Sequence, residues 1–155
     1  MAENGFSLRE KVAVVTGGGQ SLGLAVSRAL HSAGAEMVIA EVNDETGPDV
    51  AEELEGTFVH TDVTDPASVR DLVKTVLDEH GRIDVLVNNA GIVHNIPSEE
   101  VPDEEWRKVM SVNLDGVFWC CRAFGRHMRV GPDQVGDAGL AAVARPHLSG
   151  TVHDD

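Results

Sequence analysis

Through the first 128 residues, short runs of apolar residues alternate with segments of helical period, and turn residues separate the two. Lys11 to Thr16 is rich in β-branched residues and stops at Gly17-Gly18-Gly19. From Leu22 the period changes: Leu22, Val26, Ala29, Leu30 and Ala33 fall on one helical face, and Gly34 follows in the place of a left-handed C′ residue. Glu36 to Ala40 predicts a second strand, Val50 to Leu54 a short helix, and Thr57 to His60 a third strand. Asp65-Pro66 supplies an N-cap and a first-turn proline for a helix whose apolar face is Val69, Leu72, Val73, Val76 and Leu77, with Gly81 as its stop. Ile83 to Val87 predicts a fourth strand, read as one buried on both faces. Pro102-Asp103-Glu104-Glu105 then opens one long helix to about Met128. Such alternation predicts right-handed βαβ units on a parallel sheet, an α/β fold.

Residues 129–155 lose this rhythm. They are rich in Gly, Pro, Asp and Ala, with one short apolar cluster at Leu140 to Ala144, and predict an irregular tail. The 155-residue chain suffices for one domain. Its 26 acidic and 12 basic side chains give a net charge of −14, which argues against a nucleic-acid or anionic-membrane partner. Its apolar runs are far shorter than the roughly 20 residues of a membrane helix, and the charged start lacks a secretory signal, so the expected location is cytoplasmic. Cys120 and Cys121 are adjacent, which suits neither a disulfide framework nor a metal site.

A strand, a glycine-rich turn and a helix start together make an anion site, because the first helical N–H groups lack partners and the helix dipole adds positive charge. Thr16, Gly17, Gly19, Gln20, Ser21, Leu22 and Gly23 form such a turn, although the same glycines also suit a plain tight turn. Glu41, at the end of the second strand, is placed to accept ribose hydroxyls of NAD and to repel the 2′-phosphate of NADP. The competing reading is a solvated turn carboxylate. Neither the glycine turn nor Val42-Asn43 offers an Arg or Lys for a 2′-phosphate, so NAD is favoured over NADP.

In these blocks the sequence resembles the short-chain dehydrogenase/reductase family. Thr16 to Gly23 is similar to its TGxxxGxG cofactor loop, Asn88-Asn89-Ala90-Gly91 to its NNAG motif, and Val112 to Phe118 to the helix segment bearing a catalytic asparagine. Asp62-Val63 resembles its adenine-contacting pair, and Trp106 to Met128 is reminiscent of its polyol and sugar-alcohol dehydrogenases. The resemblance covers residues 8–128 and implies an NAD-binding half of a Rossmann-type, doubly wound sheet with strand order 3-2-1-4. It also implies an alcohol or carbonyl substrate, with Asn89, Ala90 and Gly91 near the nicotinamide-side ribose and Asn113 holding a relay water. From the residues alone, Asn88 reads equally as a tie between strands, and Asn113 as a helix kink or polar bridge.

Two departures matter. Ser21 replaces the middle glycine of the loop, where it would cap the first helix, donate to phosphate or crowd it. The family's catalytic serine and Tyr-xxx-Lys pair also have no counterpart: the chain contains no tyrosine, and its lysines are Lys11, Lys74 and Lys108. Ser149 follows a poor strand, and His127, His147 and His153 lack a visible orienting partner, so none is read as a substitute. The loss of pattern after Met128 resembles what a frameshift or premature end leaves. The expected protein is therefore a family member truncated after the fourth strand and its long helix, inactive by itself. The alternatives are a non-catalytic dinucleotide-binding module or a fragment without function. An open apolar edge at Ile83–Val87 predicts self-association.

Overall fold

The structure, a computed structural model, describes residues 7–128; the predicted tail and its Ser149, His147 and His153 lie outside the described residues. Four strands, β1 (Val12–Thr16), β2 (Glu36–Glu41), β3 (Thr57–His60) and β4 (Val85–Asn88), form one parallel sheet in the order β3-β2-β1-β4. This is the order expected. The register pairs Val14 with Val38 on one side and with Leu86 on the other, so β1 is central and all five of its residues are buried. A strand covered on both faces needs apolar side chains in both phases, which is why Val-Ala-Val-Val does not alternate.

Helices cover both faces. On one, Val12, Val14, Val38 and Ala40 pack with Val69, Leu72, Val73 and Val76 of α3 (Pro66–His80) and with Cys120 and Phe124 of α5 (Val117–Phe124). On the other, Ala13, Val15, Met37 and Ile39 meet Val50 and Ala51 of α2 (Thr46–Glu53) and the neighbouring Leu54, with Leu24, Val26 and Leu30 of α1 (Ser21–Ser32) beside them. The local signals acted as expected. Gly34 has φ +99° and follows the end of α1, Asp65 accepts the N–H of Ala67 at 2.8 Å, and Gly81 ends α3 at φ +70°. Asp84, just before β4, fixes the start of β1 by accepting the Val12 N–H at 3.0 Å; burial raises its pKa, but the Arg82 and Lys11 pairs and that N–H outweigh it and hold the carboxyl below its ordinary range.

Four expectations change. Leu22 and Ala29 are exposed, Leu22 by 70%, because α1 meets the sheet through Gly23 and Ser27. A Cβ on Gly23 would stand 2.0 Å from the Gly17 carbonyl oxygen, so only glycine allows this approach. The helix read as Val50 to Leu54 begins at Thr46. The fourth strand is shorter than read, beginning after Asp84; Val85 and Val87 are only half-buried, and among the described residues β4 pairs with β1 alone. The single long helix is three pieces: α4 (Asp103–Met110), a π segment (Ser111–Gly116) and α5.

Candidate functional site

The glycine turn leaves β1 at the edge of the sheet where the strands end. Thr16 is buried there and its hydroxyl ties two strands: it donates to Val87 O at 3.3 Å and accepts the N–H groups of Asn89 and Ala90, each at 3.1 Å. The Asn89 side chain returns the tie, its Nδ2 donating to Thr16 O at 3.1 Å and Gly17 O at 2.9 Å. Gly17 turns the chain at φ +64°, with its own N–H on Ala40 O at 2.7 Å. A Cβ on it would lie 2.9 Å from the Ala90 Cα, so the two loops touch backbone to backbone.

Around this corner lies an open groove of about 450 Å³. It gathers Gly17, Gln20, Ser21, Leu22 and Gly23 from the turn, Glu41 from β2, Asp62 and Val63 after β3, and Asn89, Ala90 and Gly91 after β4. Residues distant in sequence converge because every parallel strand ends at the same side. Three residues singled out from the sequence do not line it: Thr16 lies beneath, Gly19 is packed against Glu41, and Asn113 stands behind the loop after β4. Val42, Thr61, Ile92 and Val112 do line it and were not read as site residues; none has a side chain whose chemistry marks it, and Val112 stood only as the first residue of the block that bears Asn113.

The groove is lined by two kinds of polar group. The first intrahelical bond of α1 runs from Leu24 N–H to Gln20 O, so the amides of Ser21 to Gly23 precede it at the positive end of the dipole. The carboxylates of Glu41 and Asp62 line the same groove, and among the described residues no Lys or Arg does. Asp62 Oδ1 accepts from the amide and hydroxyl of Thr64 at 2.9 and 2.7 Å, which holds the turn after β3.

The structure bears on three of the earlier alternatives. Ser21 does not cap α1: Gln20 occupies the N-cap position, no side chain caps it, and Ser21 sits at φ +49°, a left-handed conformation uncommon for serine. Glu41 is no solvated turn carboxylate, being 4% exposed. Its Oε2 accepts the Gly19 N–H at 3.1 Å, and its Oε1 those of Val42 and Asn43 at 2.9 and 3.3 Å. Asn113 is a polar bridge, its amide bonded at both ends to the backbone of Ile92 at 2.9 Å, from within the π segment. Asn88 points instead to Cys121, donating to its Sγ at 3.4 Å while its Oδ1 is buried without a partner. Cys120 belongs to the core, and its thiol is pushed up to about 12 by burial, which makes it inert at neutral pH. Among the described residues no cluster of His, Cys, Asp and Glu is arranged to hold a metal, and no helix is long and apolar enough to cross a membrane.

A four-stranded parallel sheet in the order 3-2-1-4, helices on both faces and a glycine turn entering α1 define a Rossmann-type α/β protein. Residues 11–137 match the short chain dehydrogenase family, and the chain belongs to it. It is 42% identical over 126 residues to an uncharacterized oxidoreductase of Thermotoga maritima, covering 78% of this chain and 49% of that one. With the galactitol 2-dehydrogenase of Rhizobium johnstonii it shares 44% over 129 residues, or 79% of this chain and 50% of the other. A crystal structure of a short-chain type dehydrogenase/reductase from Mycobacterium marinum superposes with a TM-score of 0.76 at 32% identity, over 79% of this chain and 51% of that one. The chain thus spans about half the length of the curated relatives it matches.

Proposed function

We propose that this chain is the dinucleotide-binding part of an oxidoreductase acting on an alcohol or carbonyl group, and that it prefers NAD to NADP. The observation that carries the reading is the lining of the groove: the first amides of α1, the carboxylates of Glu41 and Asp62, and among the described residues no basic side chain. Glycine at positions 17 and 23 lets the turn, the loop after β4 and the start of α1 pack backbone to backbone, which holds the first α1 amides at the groove, where they suit a diphosphate. In this reading Ser21, Leu22 and Gly23 receive the diphosphate, Glu41 faces the adenosine ribose, and Asp62 and Val63 flank the adenine. Asn89, Ala90 and Gly91 lie by the second ribose. A 2′-phosphate would meet two carboxylates without a cation, which is unfavourable at short range. The bound cofactor would accept or deliver hydride; the chain's own residues here bind and orient it. The likeness to a galactitol dehydrogenase favours a polyol among the possible substrates.

Titration of the purified chain with NADH and NADPH, followed by cofactor fluorescence and by melting temperature, tests this. Saturable NADH binding at least about tenfold tighter than NADPH, with a rise in melting temperature, is expected. Equal affinities, or no saturation by either, overturn it.

We infer also that the flank formed by β4, α4 and α5 self-associates. Trp106 of α4, Leu114 of the π segment and Phe118 of α5 are 58%, 55% and 55% exposed. An apolar surface of this kind is uncommon on a monomer.

A further inference from the structure

We propose that Glu41 is a positioning residue that clasps the glycine loop to the end of β2, and that its carboxylate shapes the diphosphate site through Gly19. A carboxylate offers two oxygens and about four acceptor sites. Three backbone N–H groups occupy three of them: Val42 and Asn43 from the turn after β2, and Gly19 from a loop 22 residues away. Without the carboxylate, the buried Gly19 N–H has no partner in this arrangement, which is costly for a backbone amide.

The packing supports a bridge. A Cβ on Gly19 would lie 3.0 Å from Glu41 Cγ, 3.1 Å from its Oε2 and 2.8 Å from the hydroxyl oxygen of Thr46, so loop, carboxylate and α2 are in close contact. Gly47 admits the stem from below, where a Cβ would stand 3.1 Å from the Glu41 Cβ. The side chain is enclosed by elements that are separate in sequence: the glycine loop, the end of β2 and the start of α2.

A residue that merely reads the ribose behaves differently from a clasp, and Glu41→Gln separates them. Glutamine still accepts from and donates to ribose hydroxyls and loses only the charge, so a reader keeps NADH and gains NADPH. For a clasp the amide is wrong on one side, because its NH₂ must face either Gly19 N–H or the Val42 and Asn43 amides, donor against donor. The affinity arm rests on the nucleotide reading above; amide hydrogen exchange on the chain without nucleotide does not. The expected result for Glu41→Gln is a fall of about tenfold or more in affinity for both NADH and NADPH. Exchange protection at Gly19 should be lost as well, with protection in β1 retained. NADH affinity kept within about threefold while NADPH gains, or unchanged protection at Gly19, overturns the proposal. Should Glu41→Gln not fold, Gly19→Ala breaks the same contact without touching the charge. The clasp then predicts loss of both nucleotides, and undiminished binding of NADH overturns it. If the unaltered chain binds no NADH, the nucleotide reading fails alone, and the exchange measurement still decides the clasp.

Discussion

The corner between β1 and α1 and the flank formed by β4, α4 and α5 are finished to different degrees. At the corner Thr16, Glu41 and Asn89 are polar groups enclosed by the fold, and each makes two or more hydrogen bonds to backbone. At the flank Asn88 leaves Oδ1 buried and unpaired, Val85 and Val87 are half covered, and Trp106 and Phe118 face outward. The Arg122 guanidinium lies 4.4 Å over the Trp119 ring and 5.3 Å from Phe118, which covers only part of that surface. The difference teaches where the chain is self-sufficient. Residues that complete one another are all supplied between Thr16 and Gly91; the flank presents side chains whose surroundings the described residues supply only in part.

The largest effect expected from this contrast is chemical. Oxidising an alcohol or reducing a carbonyl by hydride transfer requires a proton to move at the oxygen. A positioned acid/base typically contributes about 10²–10⁴ in rate, and oriented donors to the developing charge contribute comparable factors. The corner holds groups suited to a cofactor, but the chain has no tyrosine and no lysine beyond Lys108 to perform this task. Purified chain should therefore show no formation or loss of NADH above background with polyols, secondary alcohols or ketones, even where NADH binds. Robust turnover that disappears in His147→Ala or His153→Ala would place a substitute acid/base in the segment after Met128.

Self-association should respond next. Trp106 and Phe118 are each more than half exposed, so replacing both with serine removes apolar surface while leaving the core intact. If the flank is the contact, aromatic anchors carry much of its energy, and the double variant should associate about tenfold more weakly or worse. Light scattering on the eluting protein reads this directly. An unaltered chain that runs as a monomer at micromolar concentration sinks the idea.

The neighbouring asparagines sharpen the same comparison inside the fold. Asn89→Ala removes two side-chain hydrogen bonds that hold the glycine turn, a loss of about 2 kcal/mol or more. Asn88→Ala gives up one weak contact to sulfur and an oxygen that is already unpaired, and should cost less than half as much. Urea unfolding of the two variants checks the ratio. Equal losses would mean that the flank is as well satisfied as the corner.

Much of this was legible from short-range signals. Gly34, Asp65 and Gly81 act on backbone within a few residues of themselves, so local spacing suffices to read them. The strand order followed from alternation together with the resemblance. What stayed hidden depends on partners far along the chain: the Glu41 carboxylate meets Gly19, the Asn113 amide meets Ile92, and the close approach of Gly23 is set by Gly17 and Asn89. The π segment was invisible for another reason. Helical periodicity before and after it is ordinary, and one wider turn leaves no composition signal.

Ser21 carries the smallest expected effect and the most local one. At φ +49° its Cβ stands close to the following carbonyl, which costs an L-residue about 1–2 kcal/mol relative to the right-handed conformation. Glycine adopts that conformation without the clash, but it loses more freedom on folding, by roughly 0.5–1 kcal/mol. The two terms oppose, and the relief is the larger. Ser21→Gly should thus raise stability by about 0.5 kcal/mol, or about 1–2 °C in melting temperature for a chain of this size. The corner already satisfies its other groups, so this gain should appear without change elsewhere, and a calorimetric melt of the unliganded protein measures it. A fall in melting temperature would show that the Ser21 side chain stabilises the turn by more than its backbone costs, and that the corner is better fitted to serine than its φ implies.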